Sequence, residues 1–316
     1  MGNTSFSREL DPQLLNEIAA ELAVDVSFIE KDWHAVAVLK IIAELPQNTF
    51  KPVFSGGTSL SKGYGLIQRF SEDIDFKVIS LTNFSSQAKF KRNCKGYRDQ
   101  IVEAIGNAGW SINADAIRTL NEFKFFSIPV RYNSRFDQSA ALRPHLKVEL
   151  SIKEPMLLTS ERPVRSLVAK YSNSPPEVTM IAYVDPVETT ADKLSILTRK
   201  VLSRNRGSER DDPTLIRHLH DLAALEETAL QNPAFAPLAR KTLEEDKGRG
   251  KPSTEIFELP LKKRLLRTAS SLKEDDEYRS EYDRFVRAVS YASADEQIDF
   301  DFALEAFDRI CNAVSA

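Results

Sequence analysis

The hydrophobic positions change their period along the chain, and the changes predict three kinds of region. From residue 11 to Pro46 apolar residues recur at helical spacing. Asp11-Pro12 predicts the cap and first turn of one helix, and Ser27-x-x-Glu30 predicts a capping box for a second, carrying Trp33, Val36, Leu39 and Ile42. Between Phe50 and about Val184 alternation predicts strands at 74–79, 123–132, 145–152 and 178–184. In the same region Phe90, Cys94, Tyr97, Ile101, Ile105 and Ala108 predict a helix over 86–108. After Asp185 the pattern is helical almost throughout, with segments near 186–204, 213–228, 233–246, 260–273 and 293–315. These periods predict an α+β protein. N-terminal helices and a core of strands and helices take up residues 1–184, and a helical C-terminal domain, residues 185–316, follows.

Composition narrows the picture without redirecting it. With 316 residues and 42% apolar content, the chain can bury a sizeable core as one large domain or two. A net charge of −3 excludes a general polyanion binder, so any nucleic-acid contact has to come from local patches. Cys94 and Cys311 allow at most one disulfide and form no zinc pattern, which points to a reducing cytoplasm. The opening MGNTSFSRELDPQ has no apolar signal core, and no run approaches the ~18–20 residues of a membrane span. A cytoplasmic location and no membrane partner are expected.

The chemistry concentrates in residues 54–76, FSGGTSLSKGYGLIQRFSEDIDF. Ser55-Gly56-Gly57 follows the apolar Pro52-Val53-Phe54, and the glycines let backbone approach a ligand closely. Thr58 is placed to open a helix whose free N–H groups suit a phosphate chain. Alternation through Asp73-Ile74-Asp75-Phe76 puts both carboxylates on one strand face and sends Ile74 and Phe76 into the core. Such a pair suits Mg²⁺ shared with nucleotide phosphates. The plainer alternative is a turn followed by a solvated strand end, but alternating carboxylates repel unless a cation compensates.

This stretch closely resembles the signature of the AbiEii/AbiGii-type (MenT-like) nucleotidyltransferase toxins, within the DNA polymerase β-like superfamily. The family signatures cover roughly residues 50–225. The resemblance implies a polymerase-β-like nucleotidyltransferase core, a mixed sheet with flanking helices, a helical C-terminal domain that contributes site residues, and transfer of a nucleotidyl group from an NTP with Mg²⁺ or Mn²⁺. It also implies an RNA acceptor, with the tRNA 3′ end as leading precedent, and an antitoxin from a separate chain, in a phage-defence setting. Onto this sequence it carries Asp73, Asp75 and Glu149 as metal ligands. Ser55, Gly56, Gly57, Thr58, Ser59, Lys62, Thr189, Lys193 and Arg217 become nucleotide contacts, with Lys193 and Asp221 also catalytic.

The residues at these positions have readings of their own. Glu149 lies in His145-Leu-Lys-Val-Glu-Leu-Ser-Ile152, on the same strand face as Lys147, so a Lys–Glu pair on a solvated face is the alternative to a third acid. Asp185-Pro186 with Glu188 predicts a capped helix start, after which Thr189 and Lys193 share a helix face. That helix resembles the family's Glu-Thr-x-x-x-Lys helix, whose lysine is taken to contact the triphosphate. Around Asp221, Leu215, Leu219 and Leu222 form a buried stripe that leaves Arg217 and Asp221 on a polar face. The spacing resembles the family's Arg-x-x-x-Asp helix, with His218 where that pattern prefers Asp. Asp221 is placed either to orient Lys193, to act as base on the incoming hydroxyl, or merely to pair with Arg217. His220-Asp221 spells the dipeptide of HD phosphohydrolases, but His34 and His145 sit in poor contexts for the remaining ligands.

Six cations and no acid occupy residues 77–98, namely Lys77, Lys89, Lys91, Arg92, Lys95 and Arg98. Lys89, Lys91, Arg92 and Lys95 are the candidate RNA contacts, against the alternative of a wet helix face. Loops with Arg204, Arg206 and Arg210 and with Lys247, Arg249 and Lys251 are further candidates, while Lys262, Lys263, Arg264 and Arg267 read as a solvated helix face. A small-molecule or protein acceptor, or a catalytically silent binding module, remain the alternative functions.

Overall fold

The computed structural model describes residues 10–209, 211–248 and 254–316; Arg210, Arg249 and Lys251 lie outside the described residues. The chain forms two units, Met1–Gly65 with Phe70–Val184, and Leu66–Arg69 with Asp185–Ala316.

The first unit opens with α1 (Pro12–Glu21) and α2 (Val26–Ala43), followed by β1 (Phe50–Ser55), α3 (Gly56–Ser59), a π-helical turn over Leu60–Tyr64, and β2 (Asp73–Ser80). It continues through α4 (Gln87–Asn107), β3 (Ser111–Ile112), β4 (Arg118–Leu120), β5 (Phe125–Arg131), β6 (Leu146–Ile152), β7 (Ser160–Val164), α5 (Leu167–Tyr171) and β8 (Val178–Tyr183). The strands make one mixed sheet in the order β3-β5-β6-β2-β1-β8-β7, with β4 paired to β5. Strand β2 runs antiparallel to β1 and parallel to β6. The expected α+β core is present. Strand β1, the short strands β3, β4 and β7 and helix α5 were not predicted; strands of two to five residues carry too few alternations to be read, and in β1 the run Pro52-Val53-Phe54 does not alternate.

The two faces of this sheet differ because side chains alternate along each strand. Phe54, Ile74, Phe76, Phe126, Ile128, Val148 and Leu150 pack on one face against Leu39 and Ile42 of α2 and Cys94, Tyr97, Ile101 and Ile105 of α4. Each buried aliphatic or aromatic side chain contributes about 1.5–3 kcal/mol, so a one-residue slip of β2 that exchanged Ile74 and Phe76 for the aspartates is strongly disfavoured. The opposite face takes Asp73, Asp75 and Lys77 from β2 and Lys147 and Glu149 from β6, beside a small apolar cluster of Val53, Ala182 and Val184.

The predicted capping box of α2 does not form. Asp25 caps the helix, accepting from the Ser27 N–H at 2.9 Å. Glu30, fully buried, instead accepts from Ser134 Oγ at 2.6 Å and Arg135 N–H at 2.8 Å, fastening the segment between β5 and β6 to α2.

The second unit is helical. It comprises α6 (Pro186–Leu202), a 3₁₀ turn (Pro213–Ile216), α7 (Arg217–Leu230), α8 (Phe235–Glu245), α9 (Thr254–Phe257), α10 (Leu261–Glu274), α11 (Asp276–Val289) and α12 (Phe300–Ser315). Its core contains Leu194, Leu197, Leu219, Leu222, Leu225, Leu265, Leu272, Phe307 and Ile310. The sequence pattern overlooked α11. Its buried residues are Tyr278, Tyr282 and Val286, a stripe too narrow among charged neighbours to announce itself. Helix α12 begins at Phe300, capped by Asp299, whose side chain accepts from the Phe302 N–H, rather than near 293. The segment Leu66–Arg69 joins this unit through a β-bridge between Arg69 and Ser290 and a 3.1 Å bond from the Tyr291 N–H to the Gln68 carbonyl.

Candidate active site

Strand β2 and its parallel neighbour β6 set the carboxylates. Asp75 is the register partner of Glu149, and Asp73 that of Lys147. On the antiparallel side Ser55 is opposite Asp75. The charges are partly compensated from within the unit. Lys147 Nζ lies 2.7 Å from Glu149 Oε1, and Arg143 Nη1 donates to Asp73 Oδ1 at 2.9 Å. Arg143 is itself fixed through its backbone. Its N–H points at both oxygens of Glu72, at 3.2 and 3.1 Å, and its carbonyl accepts from Lys31 Nζ at 2.6 Å. Lys31 and Glu72 close the circuit as an ion pair at 3.2 Å. Burial lowers the Lys31 pKa, and Glu72 opposes that shift.

The glycine turn is shaped around Asp75. Gly56 has φ of +76°, and a Cβ there would fall 2.0 Å from Asp75 Oδ2, so only glycine accommodates both the backbone and the carboxylate. The helix starts at Gly56, with Ser55 in the cap position, earlier than the predicted start at Thr58. Thr58 Oγ1 donates to the Asp73 carbonyl at 2.5 Å and Ser59 Oγ to the Gly56 carbonyl at 2.9 Å. Both hydroxyls thus tie the turn together. Lys62 pairs with Asp32 of α2, both about a tenth exposed, and Asp32 also accepts from the Leu167 N–H at 2.7 Å.

In the second unit Asp185 caps α6, accepting from Val187 N–H at 2.8 Å, with Pro186 in the first turn as the sequence predicts. This helix presents Thr189 and Lys193, both buried. Asp221 of α7 is fully buried and not on a polar face. It receives Arg69 bidentately, Nε to Oδ1 at 2.7 Å and Nη2 to Oδ2 at 2.6 Å, and Lys193 Nζ at 2.5 Å on Oδ2. Burial opposes ionisation of Asp221, but Arg69 and Lys193 outweigh it and hold the carboxyl well below the usual carboxylate range. Burial lowers the Lys193 pKa, with Asp221 acting against the shift. Arg217 donates to Thr214 Oγ1 at 2.7 Å, and Asp221, buried between Arg69 and Lys193, does not fit the alternative of a simple ion pair on a helix surface. His218 is buried, and burial with the nearby cations Arg217, Lys193 and Lys200 drives its pKa well below that of free histidine. Its charged form is thus disfavoured.

Other basic candidates sort themselves by partner. On α4, Lys89, Arg92 and Lys95 are exposed, and Lys91 lies 3.3 Å from Glu122. Because α4 packs on the Ile74 and Phe76 face, these cations are not beside the carboxylates but across the sheet from them. Lys77 is the exception, buried on the carboxylate face two residues beyond Asp75. Arg204 binds Asp211 and Glu281, and Arg206 binds Asp275 and Glu281, which pins their loop to α11 and neutralises it. Lys247 lies near Glu244 at 3.6 Å. Arg264 is buried rather than solvated, paired with Glu244 and donating to the Leu243 carbonyl at 3.3 Å. Sequence reasoning missed Arg69 and Arg143. Arg69 stands four residues before Asp73 within the signature stretch, a signal that was available, whereas nothing near Arg143 announces its contact with Asp73.

The donor chemistry suits a hard divalent cation. Asp73 and Asp75 share a strand face, and Mg²⁺ is commonly held by one or two carboxylates, with substrate phosphates and water completing its shell. The space left by a side chain's absence at Gly56 lets an Asp75 oxygen lie against the turn. Among the described residues no three His, Cys, Asp or Glu side chains converge as a metal cluster, so Glu149 is adjacent to the pair without forming a three-acid cluster with it.

A mixed sheet with paired aspartates on the face opposite its apolar core, fed by a glycine turn shaped around one of them, defines the class as a nucleotidyltransferase core. The family model described as nucleotidyl transferase AbiEii toxin, type IV toxin–antitoxin system, matches residues 40–308, and the chain belongs to this family of nucleotidyltransferase toxins. Among solved structures the chain is similar in fold to MenT4, a nucleotidyltransferase toxin from Mycobacterium tuberculosis. The similarity has a TM-score of 0.52 and 17% identity, and covers 97% of this chain and 99% of that one. No curated protein sequence matches this one significantly. Among the described residues no helix is long and apolar enough to cross a membrane, and Cys94 and Cys311 are free and buried.

Proposed function

We propose that this nucleotidyltransferase transfers a nucleotidyl group from an NTP to RNA, with the tRNA 3′ end as first acceptor to test, acting in the cytoplasm and countered by an antitoxin on a separate chain. The observation that carries the reading is the placement of Asp73 and Asp75 on the face of β2 opposite its apolar core, with Glu149 in register on β6. When bound there, Mg²⁺ would neutralise phosphate charge and orient the triphosphate. Asp73 and Asp75 are the proposed holders, with Glu149 in support. The turn from Ser55 to Ser59 offers backbone N–H groups to the phosphates. Lys62 is the further proposed nucleotide contact of the first unit. In the second unit Thr189, Lys193 and Arg217 are the proposed nucleotide contacts, with Asp221 holding the Lys193 ammonium.

The exposed cations Lys89, Arg92 and Lys95 favour a polynucleotide. Since they lie across the sheet from the carboxylates, they would hold the body of a large RNA, not its reacting end. Their distance from the carboxylates also keeps a small-molecule acceptor as the second reading. Incubation with each labelled NTP, Mg²⁺ and, in separate reactions, total tRNA or an RNA-free small-molecule extract separates the two. Label in tRNA supports the proposal, and label only in the extract overturns the RNA acceptor.

A further inference from the structure

Arg143 stands out because its backbone and its side chain are held by different means. Its N–H and carbonyl are clamped by Glu72 and Lys31, which are themselves paired at 3.2 Å. Lys31 is almost fully buried, and Glu72 immediately precedes Asp73 in the chain, so the clamp fixes the Arg143 backbone beside the carboxylate face. The neighbouring segment is fastened as well. Ser134 and Arg135 bind Glu30, the Arg135 side chain binds the Leu10 carbonyl at 2.8 Å, and Ser139 N–H binds Ser27 Oγ at 3.2 Å. The guanidinium, by contrast, extends from this anchor on a long tether with 37% of the side chain exposed. It donates to Asp73 Oδ1 at 2.9 Å and keeps its Nε 3.9 Å from Glu72 Oε2.

A guanidinium and a divalent cation cannot both take the same carboxylate oxygen at full strength. A planar guanidinium also matches phosphate oxygens as well as it matches carboxylate. We propose that Arg143 is a positioning residue that holds the Asp73 carboxylate in the nucleotide-free protein and exchanges it for the phosphates of the metal–nucleotide substrate. The inference rests on the assignment of Asp73 and Asp75 as cation holders. The clamp by Glu72 and Lys31 keeps the exchange local, because only the side chain turns while the backbone stays in place. It also gives the site a preference for metal arriving with triphosphate over metal arriving alone. Bare cation has to displace Arg143 without offering it a new anionic partner. Metal–triphosphate supplies that partner with the cation.

The test uses the full chain and two ligands, Mn²⁺ alone and Mn²⁺ with the α,β-imido analogues of the four NTPs. Affinities are read from free Mn²⁺ by electron paramagnetic resonance and from calorimetry. Arg143→Gln is expected to bind Mn²⁺ alone more tightly, on the order of fivefold, and the metal–nucleotide analogue more weakly, on the order of fivefold or more. Arg143→Lys, which keeps the charge but loses the fork, is expected to shift both affinities in the same two directions by smaller factors. A purely structural role would move both affinities together or neither, and either result in a well-folded Arg143→Gln overturns the proposal. Should that variant not fold, Arg143→Lys decides by the same pair of signs. Asp73→Asn separates the two levels of the argument. If it leaves Mn²⁺ affinity unchanged, the cation assignment fails and this inference with it. If it abolishes Mn²⁺ binding while Arg143 variants match the wild type, the inference alone fails.

Discussion

Asp75 on β2 and Glu149 on β6 are register partners across a parallel strand pair, so two acids that are 74 positions apart in the sequence stand side by side on one sheet face. Directly opposed like charges destabilise a sheet. Lys147 and Arg143 offset part of that cost, at 2.7 Å from Glu149 and 2.9 Å from Asp73. The fold therefore maintains a cluster of like charges on this face at a cost that these ion pairs only partly offset.

From this follows the first expectation. Asp73→Asn and Asp75→Asn should each lower nucleotidyl transfer on the order of 10²-fold or more, since stabilisation of phosphoryl charge is the main catalytic contribution in such sites. The melting temperature should hold or rise, because a repulsive charge is removed. Steady-state transfer assays and thermal melts run side by side check both halves, and a large drop in melting temperature would make these acids structural.

Gly56 and Gly65 provide an internal comparison. Both have positive φ, +76° and +65°, but a Cβ at Gly65 meets nothing within 4 Å, whereas one at Gly56 strikes Asp75. Gly65→Ala should cost only the left-handed backbone penalty, roughly 1–2 kcal/mol. Gly56→Ala should cost more and should also weaken Mn²⁺ binding by displacing Asp75. Denaturant melts with Mn²⁺ titrations measure this, and equal behaviour of the two variants would detach the turn from the carboxylate.

The Arg69, Lys193 and Asp221 cluster should dominate the stability of the second unit. Removing one partner of a buried ion pair costs about 3–5 kcal/mol, so Arg69→Met should destabilise by that order. Lys200→Met breaks a pair with Asp212 whose side chains are 27% and 32% exposed, and should cost less, on the order of 1 kcal/mol. Lys193→Met should in addition reduce turnover by far more than Lys200→Met. Equal and mild losses in both lysine variants would return Lys193 to a structural role.

Much of the sheet was legible because alternation is a local signal: Ile74 and Phe76 against Asp73 and Asp75 gave the strand and its faces together. The helix over 86–108 was readable from the spacing of Cys94, Tyr97, Ile101 and Ile105. What escaped were relationships over long separations. The Arg69 contact with Asp221 spans 152 positions and the Arg143 contact with Asp73 spans 70, and no periodicity encodes either. Glu30 misled for the opposite reason. Its local spacing fits a capping box, but tertiary contacts with Ser134 and Arg135 claim the side chain.

His34 supplies a pH dependence with a definite sign. Burial, aided by Arg135, lowers its pKa to about 4, and its ring lies 4.4 Å from that of Tyr132. A folded-state pKa below the unfolded value of 6.5 means that the unfolded chain binds the extra proton first. Its contribution is therefore intact above pH 6.5 and is lost as pH falls from 6.5 toward 4. Within that window the loss amounts to about 1.4 kcal/mol for each pH unit. His34→Phe should flatten the fall in stability over the same range. Buried His218 acts in the same direction, so the slope should shrink without vanishing. Melts between pH 7 and 4.5 check it, and an unchanged slope would contradict the assignment.

The most direct measurement of the central claim follows label from each α-³²P NTP into tRNA in the presence of Mg²⁺, comparing the wild-type chain with Asp75→Asn at matched folded concentration. At least one NTP should label tRNA with the wild type, EDTA should abolish the label, and Asp75→Asn should leave it at background. Equal labelling by Asp75→Asn, or labelling that survives EDTA, would contradict the claim.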